Sequence, residues 1–169
     1  MSKWIRESLN KDEGFTLVEL MVVVLIIAIL IAIAIPTFLG ARERAQDRAA
    51  QSNLRNALTA AKVFYTDGEQ FPTNDAAGAA LLQAIEPSMV FVQGNAPDLT
   101  VPEDVGMLSL ANADADALQA VIFVAESRSG TWFCIADQAT GSAAGTYYGS
   151  SAVDGAALDT LAECAAAQW

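Results

Sequence analysis

Between Glu19 and Arg42 lie 22 residues without a single charge, and from Leu20 to Ile35 every one of them is apolar. As a helix, such a stretch is long enough to cross a hydrocarbon core about 30 Å thick. A helix that is apolar all round must also be buried all round. With 169 residues, the chain has one ordinary domain to offer, too little to wrap it. Lipid or other subunits must do so. Three readings compete: a cleaved secretory signal, a simple membrane anchor, or a more specialised segment. Ala32-Ile33-Ala34 is an A-x-A pattern of the kind a signal peptidase accepts. A secretory signal opens on net positive charge, however, and here Lys3, Arg6 and Lys11 are outweighed by Glu7, Asp12, Glu13 and Glu19. Pro36 also stands close behind the A-x-A. Arg42, Arg44 and Arg48 follow the run, so charge alone does not place the N-terminus on the cytoplasmic side.

Composition narrows the chemistry. Lys plus Arg is 9 and Asp plus Glu is 20, a net charge of −11, and histidine is absent. Without histidine there is no Ser–His or Cys–His nucleophile pair and no His-ligated metal. Two cysteines are too few for a Cys₄ site, which leaves one disulfide or two separate thiols. A strongly acidic chain is poorly suited to binding nucleic acid directly. Asn112-Ala113-Asp114-Ala115-Asp116 alternates like a calcium loop. It lacks the turn glycine, though, and Phe123 stands where the bidentate glutamate belongs. No G-x-x-x-x-G-K-[ST] run occurs, so no ATP-binding loop is expected. No catalytic constellation, metal site or cofactor is expected, and the chain does not read as an enzyme.

Directly ahead of the apolar run stands Lys11-Asp12-Glu13-Gly14-Phe15-Thr16-Leu17-Val18-Glu19, continued by Leu20-Met21-Val22-Val23-Val24. A short charged leader, Gly, then Phe-Thr-Leu-Val-Glu opening a long apolar helix resembles the type IV pilin signature. The likeness covers residues 1 to about 66; beyond that it is one of architecture. It implies cleavage by a prepilin peptidase between Gly14 and Phe15 on the cytoplasmic side, then N-methylation of Phe15. A glycine at the junction lets a membrane peptidase grip the backbone. The leader carries three acids and three bases, so its removal leaves the net charge at −11.

Glu19 is a carboxylate at the edge of an apolar helix, by default a functional position with a partner to be found. No lysine or arginine lies within two turns of it. The resemblance implies that it pairs with the Phe15 amine of a neighbouring subunit, fixing axial register during assembly. The plain alternative is a glutamate that snorkels to the interface. Pro36 removes a helix hydrogen bond and crowds the preceding turn, and Gly40 follows four residues later. Together they predict a kink around residues 32–40.

From Arg42 to Tyr65 the pattern is that of an amphipathic helix, with Leu54, Leu58, Ala61 and Tyr65 on one stripe. Residues 66–73 read as a loop, and Asn74 or Asp75 as the cap of a short helix reaching Ile85, ended by Pro87. Strands are predicted at Met89–Gln93, Met107–Leu110, Leu118–Glu126 and Thr131–Asp137, the last two joined as a hairpin. The Gly-, Ser- and Ala-rich tail after Ser142 suggests a helical turn or two around Leu158–Ala166. The expected architecture is α+β and pilin-like: a leader at 1–14, one long helix at 15–66, and a head at 67–169 built on a small antiparallel sheet.

The resemblance also implies that Cys134 and Cys164 are bonded, pinning the C-terminal region to the sheet outside the cytoplasm, where disulfides persist. Closing that loop of about 30 residues contributes roughly 3 kcal/mol. Charge is sharply divided. Arg42, Arg44, Arg48, Arg55 and Lys62 sit on the helix, while Arg128 alone faces fourteen acids from Val63 onward. That acidity reads either as a solvated surface or as a partner for the basic helix of an adjacent subunit.

The function so implied is a structural filament subunit. It is membrane-held and single-pass as a precursor, with the head outside, and is part of a cell-surface pilus after assembly. Its partners would be copies of itself in a helical filament, the prepilin peptidase, the assembly machinery of membrane platform and ATPase, and membrane lipid beforehand. The alternative is a type II secretion pseudopilin, a secretion piston subunit, favoured by Tyr65-x-Asp67-Gly68-x-x-Phe71-Pro72-Thr73. The terminal cysteine pair and the imperfect calcium loop favour the pilin.

Overall fold

A computed structural model describes residues 14–93, 105–110, 119–142, 144–151, 158 and 160–166. The leader up to residue 13 and the Asn112–Asp116 run lie outside the described residues. The chain divides into two compact units after Ala41, taken here in turn.

Helix α1 spans Leu17–Gly68 with Pro36 inside it. In the first unit its large apolar side chains, from Leu17 to Leu39, are 48–74% exposed. An 18-residue window of mean hydropathy 3.3 has no buried residue at all. Among the described residues nothing covers this surface.

In the second unit α1 buries Ala50, Leu54, Ala57, Leu58, Ala60 and Ala61, the expected stripe, with Tyr65 half-buried at its end. The helix stops where Glu69 turns to φ 53° and donates its N–H to the Tyr65 carbonyl at 2.7 Å. Helix α2 (Ala76–Ile85) begins at Asp75, whose carboxylate accepts from the Gly78 N–H at 2.7 Å.

Strands β1 (Phe91–Gln93), β2 (Val105–Leu110), β3 (Ala120–Glu126), β4 (Trp132–Gln138) and β5 (Gly145–Ser151) form one sheet in chain order, and helix α3 (Leu161–Ala166) follows. From β2 to β5 the pairing is antiparallel, as expected, and β1 adds a parallel edge strand. Strand β3 is buried on both faces. Val121, Phe123 and Ala125, with Phe133 and Ile135 of β4, join the α1 stripe in one core. The alternate residues Ile122, Val124, Cys134 and Ala136 pack with Leu158 and Cys164 in a second. That alternation is the strand period of two, put to use on both sides.

Strand β5 was absent from the sequence expectation. Its sequence, Gly-Thr-Tyr-Tyr-Gly-Ser-Ser, has no alternating apolar residues to announce a strand. Pairing supplies what propensity does not, because it lies along β4 from Trp132↔Ser151 to Gln138↔Gly145. The β3–β4 hairpin turns where expected, with Ser127 N–H on the Thr131 carbonyl at 2.8 Å and Gly130 at φ 86°.

Candidate functional site

The residues singled out by sequence fall in two places, one in each unit. At the start of α1, Gly14 and Phe15 precede the helix, and Phe15 is 89% exposed. Among the described residues a Cβ built on Gly14 would meet nothing within 4 Å, so their packing does not require a glycine there.

Thr16 and Glu19 form a reciprocal cap. The Thr16 N–H and hydroxyl both donate to the Glu19 carboxylate at 2.8 Å, and the Glu19 N–H donates to the Thr16 hydroxyl at 3.2 Å. This is the S/T-x-x-E capping box, which satisfies orphan donors at a helix start. The sequence reading passed over it, although the spacing was there to be seen. Glu19 thus has a partner within its own chain before any neighbour is considered.

Pro36 has no N–H to offer the preceding turn. One residue on, the Thr37 hydroxyl donates back to the Ile33 carbonyl at 3.0 Å, a bond of the kind that tends to bend helices. Gly40 follows in the same unit.

In the second unit Cys134 and Cys164 form a disulfide with Cα atoms 6.0 Å apart. Both are fully buried, and the bond holds α3 against the sheet face opposite α1. Gly149, which the sequence reading did not single out, pairs with Cys134 across the sheet, and a Cβ there would lie 2.8 Å from the Cys134 sulfur.

Polar ties bind α1 to the head. Lys62 reaches Asp137 of β4 at 2.9 Å, and Asp137 also accepts from the Thr146 hydroxyl of β5. Lys62 is therefore engaged within the chain. Ser129 of the hairpin donates to Asp47. Gln119 accepts from the Tyr65 hydroxyl at 2.8 Å and donates to the Glu69 carbonyl at 3.0 Å, closing the end of the helix. A shallow cavity of about 330 Å³ between α1 and the hairpin is lined by Arg42, Gln46, Asn53, Glu126 and Arg128, among others. Among the described residues no group of three or more acidic or cysteine side chains is placed to hold a metal.

The prokaryotic N-terminal methylation motif matches residues 9–35. The type IV major pilin protein PilA of Myxococcus xanthus is 44% identical over 61 residues, 36% of this chain and 28% of that protein. The type IV wide pilus major component PilA4 of Thermus thermophilus is 42% identical over 65 residues, 38% of this chain and 50% of that protein. Type II secretion system core protein G of Vibrio cholerae is 34% identical over 76 residues, 45% of this chain and 52% of that protein. The matches thus span between about a quarter and about half of these relatives' length. No solved structure matches. With a methylation motif at the head of an exposed apolar helix, an α+β head and a Cys134–Cys164 disulfide, the chain is similar to type IV pilins and type II secretion pseudopilins.

Proposed function

We propose that the chain is the structural subunit of a type IV pilus filament. In this reading residues 1–14 are a leader, 15–66 the membrane and filament helix, and 67–169 the head. Prepilin peptidase cuts between Gly14 and Phe15, and the new Phe15 amine is methylated. The subunit waits in the cytoplasmic membrane with its head outside. Copies then polymerise through α1, driven by a membrane platform and ATPase, into a surface pilus. Glu19 fixes depth by pairing with a neighbour's Phe15 amine, and Pro36 with Gly40 lets the helix bend in the crowded filament core. The role is structural.

The observation that carries this reading is the Gly14–Glu19 run opening a helix whose apolar window is wholly exposed. A Gly14 on which the described residues place no packing demand fits a junction selected by an external peptidase. The test is direct. Replacing Gly14 by leucine should leave the leader attached and abolish surface filaments; filaments of normal yield would refute the reading.

A second reading is favoured by one stretch. Residues 65–73, Tyr-x-Asp-Gly-x-x-Phe-Pro-Thr, resemble that region of major pseudopilins, and the 76-residue match to core protein G is longer than either pilin match. A type II secretion pseudopilin would leave the cell surface bare, and its deletion would block protein secretion. Sheared-surface recovery of this chain against a secretion assay of the deletion separates the two.

A further inference from the structure

Beyond Arg42, which lines the cavity beside the hairpin, the charged residues next to the apolar segment are sorted by face. Glu43 and Asp47 stand on the stripe that continues through Ala50 and Leu54 into the head core. Asp47 is already engaged by the Ser129 hydroxyl. Arg44 and Arg48, also four apart, stand on another stripe, which continues to Arg55 and Lys62. Farther from the apolar segment this basic stripe is satisfied: Lys62 holds Asp137, and Arg55 has an interaction of its own. Nearest the segment it is not. Arg44 and Arg48 are exposed, and among the described residues neither makes a hydrogen bond or an ion pair. Like charges at this spacing repel, and the Asp47 carboxylate beside the pair is already engaged by Ser129.

The charge-free stretch ends at Ala41, so Arg44 and Arg48 follow within about two turns of where α1 leaves hydrocarbon, if that stretch spans the membrane. Guanidinium groups match phosphate oxygens in bidentate geometry. We propose that Arg44 and Arg48 bind the phosphates of anionic phospholipid headgroups on the outer face of the cytoplasmic membrane, holding the unassembled subunit at a fixed depth. The proposal rests on the membrane reading of α1 given above. It explains why a basic pair lies on the far side of the membrane, against the usual positive-inside bias. It also explains why the stripe is unpaired only at this end.

The experiment places the full-length chain in phosphatidylcholine vesicles carrying a trace of spin-labelled phosphatidylglycerol or spin-labelled phosphatidylcholine. Electron spin resonance then gives the share of each label immobilised against protein. Wild type should favour phosphatidylglycerol, by about fivefold for each arginine engaged, and 1 M salt should remove the preference. Arg44→Gln with Arg48→Gln keeps helix propensity and should bring the ratio close to one. Arg55→Gln, about 10 Å farther along the axis from Arg48 and so about a screening length away, should leave it unchanged. The proposal is overturned if wild type shows no preference, if the double variant keeps it, or if Arg55→Gln lowers it equally. A preference untouched in the double variant would leave the pair for an acidic surface on a second copy. If neither label is immobilised at all, the membrane reading of α1 fails as well, a result distinct from a non-selective boundary.

Discussion

Gly149 stands across the sheet from Cys134, where a Cβ would lie 2.8 Å from the Cys134 sulfur and 2.5 Å from the Cys164 carbonyl oxygen. The glycine is what lets α3 and its disulfide lie against β5. Gly149→Ala is therefore expected to force the backbone apart and destabilise the head by about 1–3 kcal/mol. Thermal unfolding of the full-length protein in detergent checks this, and an unchanged midpoint would show that the segment yields without cost.

Removing the bond itself should act in the same region. Cys164→Ser is expected to cost about 3 kcal/mol through the released loop and to open residues near the C-terminus to protease. Insertion of the N-terminal helix should be unaffected. Recovery of both cysteines freely alkylated from the wild-type protein under non-reducing conditions would contradict the bond.

At the end of α1, Glu69 holds a left-handed conformation at φ 53°, a position where glycine is the natural occupant. Glu69→Gly is expected to stabilise the head by about 0.5–1 kcal/mol, because the Gln119 bond is made to its backbone carbonyl and survives the change. A lower melting temperature would mean that the side chain matters more than its strain.

The cap of α2 carries a pH signature. Asp75 is held below its ordinary value of 3.8, first by the Gly78 N–H and then by the Thr73 hydroxyl. A carboxyl whose folded pKa is depressed stabilises the fold above its unfolded pKa, and that contribution fades as pH falls through the folded one. Asp75→Ala should accordingly be less stable than wild type at pH 7, with the gap narrowing below pH 3.8. A gap constant across that range would exclude the carboxylate as its source.

Much of this architecture was legible because hydrophobic periodicity announced it. The Leu54, Leu58, Ala61 and Tyr65 stripe, the Asp75 cap and the strands around Phe123 and Ile135 all follow from local pattern. Strand β5 was not legible, since Gly145–Ser151 forms a strand by pairing with β4 rather than by its own composition. Gly149 and the Lys62–Asp137 pair depend on residues distant in sequence. The Thr16–Glu19 cap is legible in the Thr-x-x-Glu spacing itself.

That cap sharpens the test of Glu19. Gln can serve at the third position of a capping box as Glu does, whereas it cannot pair as an anion. Glu19→Ala removes both roles and Glu19→Gln removes only the charge. If Glu19 pairs with a neighbour's Phe15 amine, both variants should insert normally and both should lose filament yield steeply. If its work is confined to the cap, Glu19→Gln should assemble like wild type while Glu19→Ala is impaired. Comparison of membrane-pool and sheared-filament amounts decides between them.

The central claim, that this chain is processed at Gly14–Phe15 to become an assembling subunit, is tested most directly by mass spectrometry of the mature protein's N-terminus. The expected result is a chain beginning at Phe15 with one methyl group on its amine. A chain that keeps its leader, or one that begins at Ile35 after the Ala32-Ile33-Ala34 pattern, would contradict it.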